Sequence, residues 1–263
     1  MIVFEHKPGL VAYLTCGDPD LATTRTVALA AIDAGADVIE LGIPFSDPVA
    51  DGPVIQRASE RALRSGTSLS QCIALGAELR KARAKAGLII FSYLNPVLRI
   101  GINSFAQQLA AVGIDGALIT DLTMEEAGEY VETMRAHELA TVFLAAPTST
   151  DNRLKAIAGL SRGFVYAVSR TGITGEQQQL AADAAQLVAR VRRFSSLPIA
   201  VGFGISSAQQ FQAVGEFADA AVIGSAIVTI MEKHGRNSAE PVANFIRGLR
   251  VEKSVAQSGA LTK

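Results

Sequence analysis

Two acids close together in the sequence could do proton chemistry. Glu40 stands inside an apolar run, Val38–Gly42, where a carboxylate gives up its water and needs a reason to be there. It lies two residues before Gly42, so on a strand of a barrel an inward-facing Glu40 reaches the mouth where such folds bind substrates. Turned outward it would need a basic partner, and the neighbouring helical segments supply few. Asp51 can be read two ways. It precedes Gly52 and Pro53, which makes it a candidate acid and equally a candidate cap for a proline-started helix. Asp47, in a Ser-Asp-Pro turn, reads when taken alone as a turn former.

A second group of residues suits an anion. Gly202-Phe203-Gly204-Ile205-Ser206 follows an apolar run and opens a helical segment, and Gly224-Ser225-Ala226 repeats the device after the next run. Small residues there let backbone N–H groups approach a phosphate. Two such turns after the last two strands match the phosphate site of many barrels. The first turn is no dinucleotide fingerprint, because the third glycine and the acid ending the next strand are missing. Between these turns and the acids lies a polar loop, Ser169–Leu180. Its Gly172 and Gly175 allow it to bend over a ligand as a lid, with Arg170 and Thr174 offering polar contacts and Gly175 an exposed N–H. Tyr13, Phe91, Tyr93, Leu118, Tyr166 and Phe203 fall at or just beyond strand ends, where they are either a wall for a flat ring or ordinary core.

What must position these groups is a repeated strand–helix unit. Eight short apolar runs are expected as strands: Leu10–Thr15, Val38–Gly42, Leu88–Ser92, Gly116–Thr120, Thr141–Ala145, Phe164–Val168, Ile199–Gly202 and Ala221–Gly224. Stretches such as Leu21–Ala34, Ser68–Ala86, Glu125–Glu138 and Ala182–Phe194 are expected as helices between them. Eight alternations predict an α/β fold of the (β/α)8 (TIM) barrel type rather than an open doubly wound sheet. With no linker or charge break, the 263 residues are expected to form a single domain, residues 1–263, ending in a polar tail from about 255.

Composition narrows the function classes. Lys plus Arg (24) nearly balance Asp plus Glu (25), which gives no electrostatic handle for nucleic acid or an anionic membrane. The first residues carry no signal-peptide pattern and no run is long enough to span a bilayer, so a soluble cytoplasmic protein is expected. Cys16 and Cys72 make no metal-binding or disulfide pattern.

The longer string ELGIPFSDPVADGPVIQ closely resembles the strand 2 and loop 2 signature of tryptophan synthase α subunits. So, in family order, do LTCGDP (Leu14–Pro19), YLNP (Tyr93–Pro96), SRTGITG (Ser169–Gly175), GFGIS (Gly202–Ser206) and IGSAIV (Ile223–Val228). The resemblance implies a (β/α)8 lyase that splits indole-3-glycerol phosphate into indole and glyceraldehyde 3-phosphate, with Glu40 and Asp51 as its catalytic acids. It assigns Thr174, Gly175, Gly204, Gly224 and Ser225 to the phosphate, Arg170 to the lid, and Tyr13, Phe91, Tyr93, Leu118, Tyr166 and Phe203 to the indole ring. It also implies a β subunit carrying pyridoxal phosphate in an α2β2 assembly, with no cofactor or metal in this subunit, and coupling through Pro44, Asp47 and the loop beginning at Asp121.

Breaking a carbon–carbon bond requires an electron sink. The seven lysines all lie outside the expected strands, which disfavours a Schiff base, and His6, His137 and His234 form no metal-ligand motif. An indole ring protonated at its ring carbon supplies the sink itself, so acid–base groups suffice. Two departures stand out. Asp121–Glu126 reads DLTMEE, with Thr123 and Met124 where the family commonly has a proline, which leaves the rigidity of that loop open. Little chain precedes strand 1 to form the helix that often plugs the barrel bottom, so either something else covers that end or it is more exposed.

Overall fold

The computed structural model describes residues 2–83, 85–168, 177–202 and 204–250, the side chains of 177–180 excepted. The strands are β1 (Gly9–Thr15), β2 (Val38–Gly42), β3 (Gly87–Ser92), β4 (Gly116–Ile119), β5 (Ala140–Val142), β6 (Leu144–Ala145), β7 (Val165–Val168), β8 (Ile199–Gly202) and β9 (Ala220–Ile223). The helices are α1 (Leu21–Asp33), α2 (Pro53–Arg64), α3 (Leu69–Ala82), α4 (Leu94–Ile100), α5 (Ile102–Val112), α6 (Gly128–Ala136), α7 (Asp151–Leu160), α8 (Gln177–Arg192), α9 (Ala208–Val214), α10 (Ser225–His234) and α11 (Ala239–Arg250). All strand pairs are parallel, in the order β5-β4-β3-β2-β1-β9-β8-β7-β6.

The sheet is the expected (β/α)8 barrel with one correction. Thr141–Ala145 is two pieces, because its first half bonds to β4 and its second to β7, with Phe143 at the change of side. The Phe143 carbonyl accepts from the Tyr166 N–H at 3.1 Å, so the run serves both neighbours and brings the sheet round on itself.

Strand alternation sorts the core into two layers. Leu10, Leu14, Ile39, Leu41, Leu88 and Ile90 belong to the large cluster between sheet and helices, whereas Val11, Val38, Ile89, Leu118, Val142, Phe164 and Val222 fill the barrel interior. Strands buried on both faces read as continuous apolar runs, which is why they stood out in the sequence.

Helix ends follow local caps rather than composition. Ser68 is the N-cap of α3, in a reciprocal capping box with Gln71, and the helix stops at Ala82 instead of continuing to Ala86. The segment expected from Glu125 becomes helical only at Gly128, since Thr123 and Glu126 close a turn first. The α8 helix ends at Arg192, not at Phe194.

The strands are held at their N-terminal ends by a device used three times. Asp37, Asp115 and Asp219 each immediately precede a strand, and each carboxylate accepts a backbone N–H from the first or second residue of the neighbouring strand: Leu10 at 2.7 Å, Leu88 at 2.8 Å and Ile199 at 2.8 Å. Each also takes an arginine, Arg250, Arg80 and Arg192 respectively. The charge-assisted bonds fix the strand starts and hold the C-terminal mouth in register with them.

The floor of the barrel is covered without a helix. Ile2 is buried and Phe4 meets Phe164 edge-on at a ring separation of 6.0 Å, both within the interior cluster. Gly9 lies under the Phe4 ring, where a Cβ would come within 2.4 Å of it. Phe4→Ala should lower stability by about 2 kcal/mol, read as a lower midpoint of denaturant unfolding; an unchanged midpoint would mean the ring closes nothing.

Candidate active site

Glu40 is fully buried on the inner face of β2, in register with Tyr13 on β1 and Ile89 on β3. The outward, ion-paired arrangement is therefore not the one adopted. Neither carboxyl oxygen has a hydrogen-bond partner among the described residues. Burial alone raises its pKa to about 8, so at neutral pH Glu40 keeps its proton and faces the barrel mouth as an acid.

Asp51 is not a helix cap. The N-cap of α2 is Gly52, which makes no side-chain bond, with Pro53 in the first turn. The Asp51 carboxylate instead accepts from the Tyr93 hydroxyl at 3.1 Å, and that hydroxyl accepts from the Ala50 N–H at 3.0 Å. Burial lifts the Asp51 pKa to about 6 against the opposing effect of the Tyr93 bond. The two acids thus have different environments, one protonated at pH 7 and the other mostly ionised, which is how a pair divides acid and charge-stabilising roles. Gln56 closes the loop by donating to the Asp51 carbonyl at 2.9 Å, and Phe45 lies against Tyr93 with ring centroids 5.0 Å apart. Sequence reasoning missed Phe45, an aromatic that declares itself only once the loop folds back on Tyr93.

The expected aromatic wall assembles in part. Tyr13 and Phe91 meet edge-on at 5.1 Å, and Leu118 and Tyr166 belong to the interior cluster. Two tyrosines lean over glycines on the next strand: a Cβ on Gly42 would lie 2.3 Å from the Tyr13 hydroxyl oxygen, and one on Gly202 would lie 2.7 Å from that of Tyr166. Burial first, then the nearby Glu40 and Asp51, pushes the Tyr166 phenol up, so it stays neutral. Phe203, Arg170, Thr174 and Gly175 lie outside the described residues.

At the other end of the mouth, α10 begins at Ser225 with Gly224 as an N-cap that offers no side chain. Its first backbone bond runs from Val228 N–H to Gly224 at 3.0 Å, leaving the N–H groups of Ser225, Ala226 and Ile227 without helical partners. Such an end favours an anion. After the Gly204 turn the expected helical segment follows, α9 from Ala208 behind its own Ser207–Gln210 capping box. What Gly204 contributes is backbone at φ +81°, which favours glycine. The two ends of the mouth are cross-linked, because Arg61 of α2 grips buried Asp18 at 2.7 and 2.8 Å, and Arg57 and Arg61 share Glu232 of α10.

The family model of the tryptophan synthase alpha chain matches residues 2–256. This chain belongs to the tryptophan synthase α-chain family. It is 49% identical over 248 residues to the tryptophan synthase alpha chain of Solibacter usitatus, covering 94% of this chain and 92% of that one. With the alpha chain of Cupriavidus metallidurans it shares 44% over 247 residues, covering 94% and 93%. A chain of a tryptophan synthase complex from Pyrococcus furiosus superposes with a TM-score of 0.85 at 38% identity, over 92% of this chain and 98% of that chain. A ligand-free tryptophan synthase from M. tuberculosis gives 0.84 at 36%, over 93% and 94%. An α chain of tryptophan synthase is an enzyme of tryptophan biosynthesis, a carbon–carbon lyase.

Three further residues of this chain sit on mouth loops. Pro44 is buried, while Asp47 is exposed and takes the Ser46 hydroxyl at 2.6 Å. Asp121 accepts the Leu94 N–H at 2.7 Å, which ties its loop to the turn carrying Tyr93. In DLTMEE, the Thr123 hydroxyl donates to Glu126 at 3.1 Å and the Glu126 N–H donates to the Thr123 carbonyl at 3.2 Å, so this turn is closed by hydrogen bonds. Among the described residues no helix is long and apolar enough to cross a membrane.

Proposed function

We propose that Glu40 and Asp51 carry the chemistry by which this chain cleaves indole-3-glycerol phosphate to indole and glyceraldehyde 3-phosphate. The observation that carries the reading is an unpartnered, fully buried carboxyl on the inner face of β2 with its pKa near 8. Glu40 donates its proton to the ring carbon bearing the side chain, and the ring becomes an iminium. The resulting carboxylate then accepts the proton of the adjacent side-chain hydroxyl. As that C–O bond becomes a carbonyl, the carbon–carbon bond breaks and its electrons return to the ring as indole. One acid thus gives one proton and recovers one. Asp51, held by Tyr93, meets the ring N–H as positive charge develops there. Tyr13, Phe91, Leu118 and Tyr166, with Phe203, surround the ring. The phosphate sits on the N–H groups that open α10 at Gly224 and Ser225, joined by Gly204 and by Arg170, Thr174 and Gly175 of the loop after β7.

On this reading the chain works as one barrel domain in the cytoplasm, beside a β subunit that holds pyridoxal phosphate and receives the indole, in an α2β2 assembly. Pro44, Asp47 and Asp121 face that partner. The chain itself needs no cofactor or metal for the cleavage. The test measures indole formed from indole-3-glycerol phosphate by the full chain, with and without a tryptophan synthase β subunit. Strong activation by the partner is expected. Equal turnover in both conditions would remove the coupling, and no cleavage in either would reject the reading.

A further inference from the structure

The Tyr13 ring is occupied by the protein itself. It packs with Ala58, Val54 and Ile55 of α2, Val228 of α10 and the edge of Phe91, a small cluster separate from the main barrel core. A Cβ on Gly224 would lie 3.6 Å from the Tyr13 Cβ, so the base of the side chain touches the anion turn. Its hydroxyl end lies over Gly42, on the mouth side of Glu40 in the same strand, where a Cβ would be 2.3 Å from the oxygen. Tyr13 therefore spans the gap between the phosphate end and the acid. Thr15 has the same strand parity one step nearer the mouth. Its hydroxyl is buried with no hydrogen-bond partner at bonding distance among the described residues, yet close enough to affect the Tyr13 phenol.

A ligand with its ring at Glu40 and its phosphate at Gly224 lays its middle across this pair. In an indolyl glycerol phosphate that middle is the hydroxylated chain. We propose that the hydroxyls of Tyr13 and Thr15 recognise the side-chain hydroxyls of the substrate, making Tyr13 a specificity-determining residue as well as part of the wall. A phenol kept neutral by its burial donates a hydrogen bond, and a buried hydroxyl with no protein partner gains one only from ligand or water. A site built to pair a substrate hydroxyl discriminates strongly against the analogue lacking it. The inference rests on the cleavage reading above.

Tyr13→Phe keeps the ring, its packing and the fit over Gly42, and removes only the oxygen. The experiment measures kcat/KM for indole-3-glycerol phosphate and Ki for indole-3-propanol phosphate, which has the same ring and phosphate without side-chain hydroxyls, in parent and variant with a β subunit present. A fall in kcat/KM of about 10-fold or more, with Ki changed less than about twofold, is the expected result. Thr15→Val should shift the same ratio in the same direction by a smaller factor. Equal losses on both ligands would assign Tyr13 a structural role, and an unchanged kcat/KM would remove it from recognition; either overturns the inference. If the parent cleaves normally in those cases, the functional reading survives; if the parent fails to cleave, that reading falls and takes this one with it.

Discussion

Glu40→Gln should abolish cleavage while leaving ligand affinity nearly intact, and it should make the protein more stable in neutral and alkaline solution. Positioned proton transfer contributes on the order of 10²–10⁴-fold, and the amide keeps the size of the carboxyl but has no proton to give and no basic oxygen to take one back. kcat should fall by about 10³-fold or more, with Kd for indole-3-propanol phosphate unchanged within about a factor of three. The stability effect follows from the same burial. In the unfolded chain Glu40 loses its proton near 4.5, whereas in the folded chain it holds it to about 8. Below 4.5 both states are protonated and burial of the carboxyl carries no ionisation penalty. Between these values only the unfolded state ionises, so folding stability is lost as pH rises, with a limit on the order of 5 kcal/mol, and above about 8 the loss levels off. Glutamine does not ionise, so the variant's unfolding free energy relative to the parent should climb between pH 4.5 and 8, offset by the roughly 1–3 kcal/mol of leaving an amide unpaired. A difference flat with pH would show that Glu40 is ionised in the folded protein. The parent's kcat/KM should likewise decline above about pH 8, as the acid form of the free enzyme is lost.

The barrel was legible because its strands are buried on both faces, and a run such as Leu88–Ser92 needs no partner to declare itself. Glu40 was legible for the same reason: a lone acid in such a run is costly, and strand parity then decides which way it faces. The ambiguity at Asp51 was physical. A cap and an acid both want a carboxylate just before a helix, and only the Tyr93 hydroxyl, far along the chain, separates them. The closed Asp121 turn was hidden because two hydrogen bonds between Thr123 and Glu126 close it, which composition does not display. The three aspartates at the barrel bottom were open to a closer reading: Gly35-Ala36-Asp37 and Gly113-Ile114-Asp115 each precede a strand by one residue, and Phe217-Ala218-Asp219 repeats the placement. The split fifth strand was not readable, since pairing with β4 and then β7 depends on closure rather than on local sequence. The Tyr13 hydroxyl was concealed by its ring, which reads as apolar until its contacts are known.

Asp51→Asn should be nearly as severe as the change at Glu40, but with a different signature. Asparagine can still take the Tyr93 hydroxyl bond, so the loop from Pro48 to Gly52 keeps its fold, and the Gln56 bond to the Asp51 carbonyl is untouched. What is lost, on the proposed mechanism, is the negative charge facing the ring N–H as the iminium forms. Removing one such electrostatic contact costs about 10²–10³ in kcat, and because the charge matters chiefly in the transition state, KM should move little. Tyr93→Phe separates charge from placement. It leaves Asp51 ionisable but deletes the bond that lowers its pKa and the bond from Ala50 N–H that holds the phenol. With that lowering effect gone, the Asp51 pKa rises above about 6, so the acidic limb of the pH–kcat profile should move to higher pH while a plateau of activity survives. Asp51→Asn, having no group to titrate, should lose that limb altogether. If both variants keep the parent's acidic limb, that limb belongs to another group and Asp51 is not the charge that meets the ring.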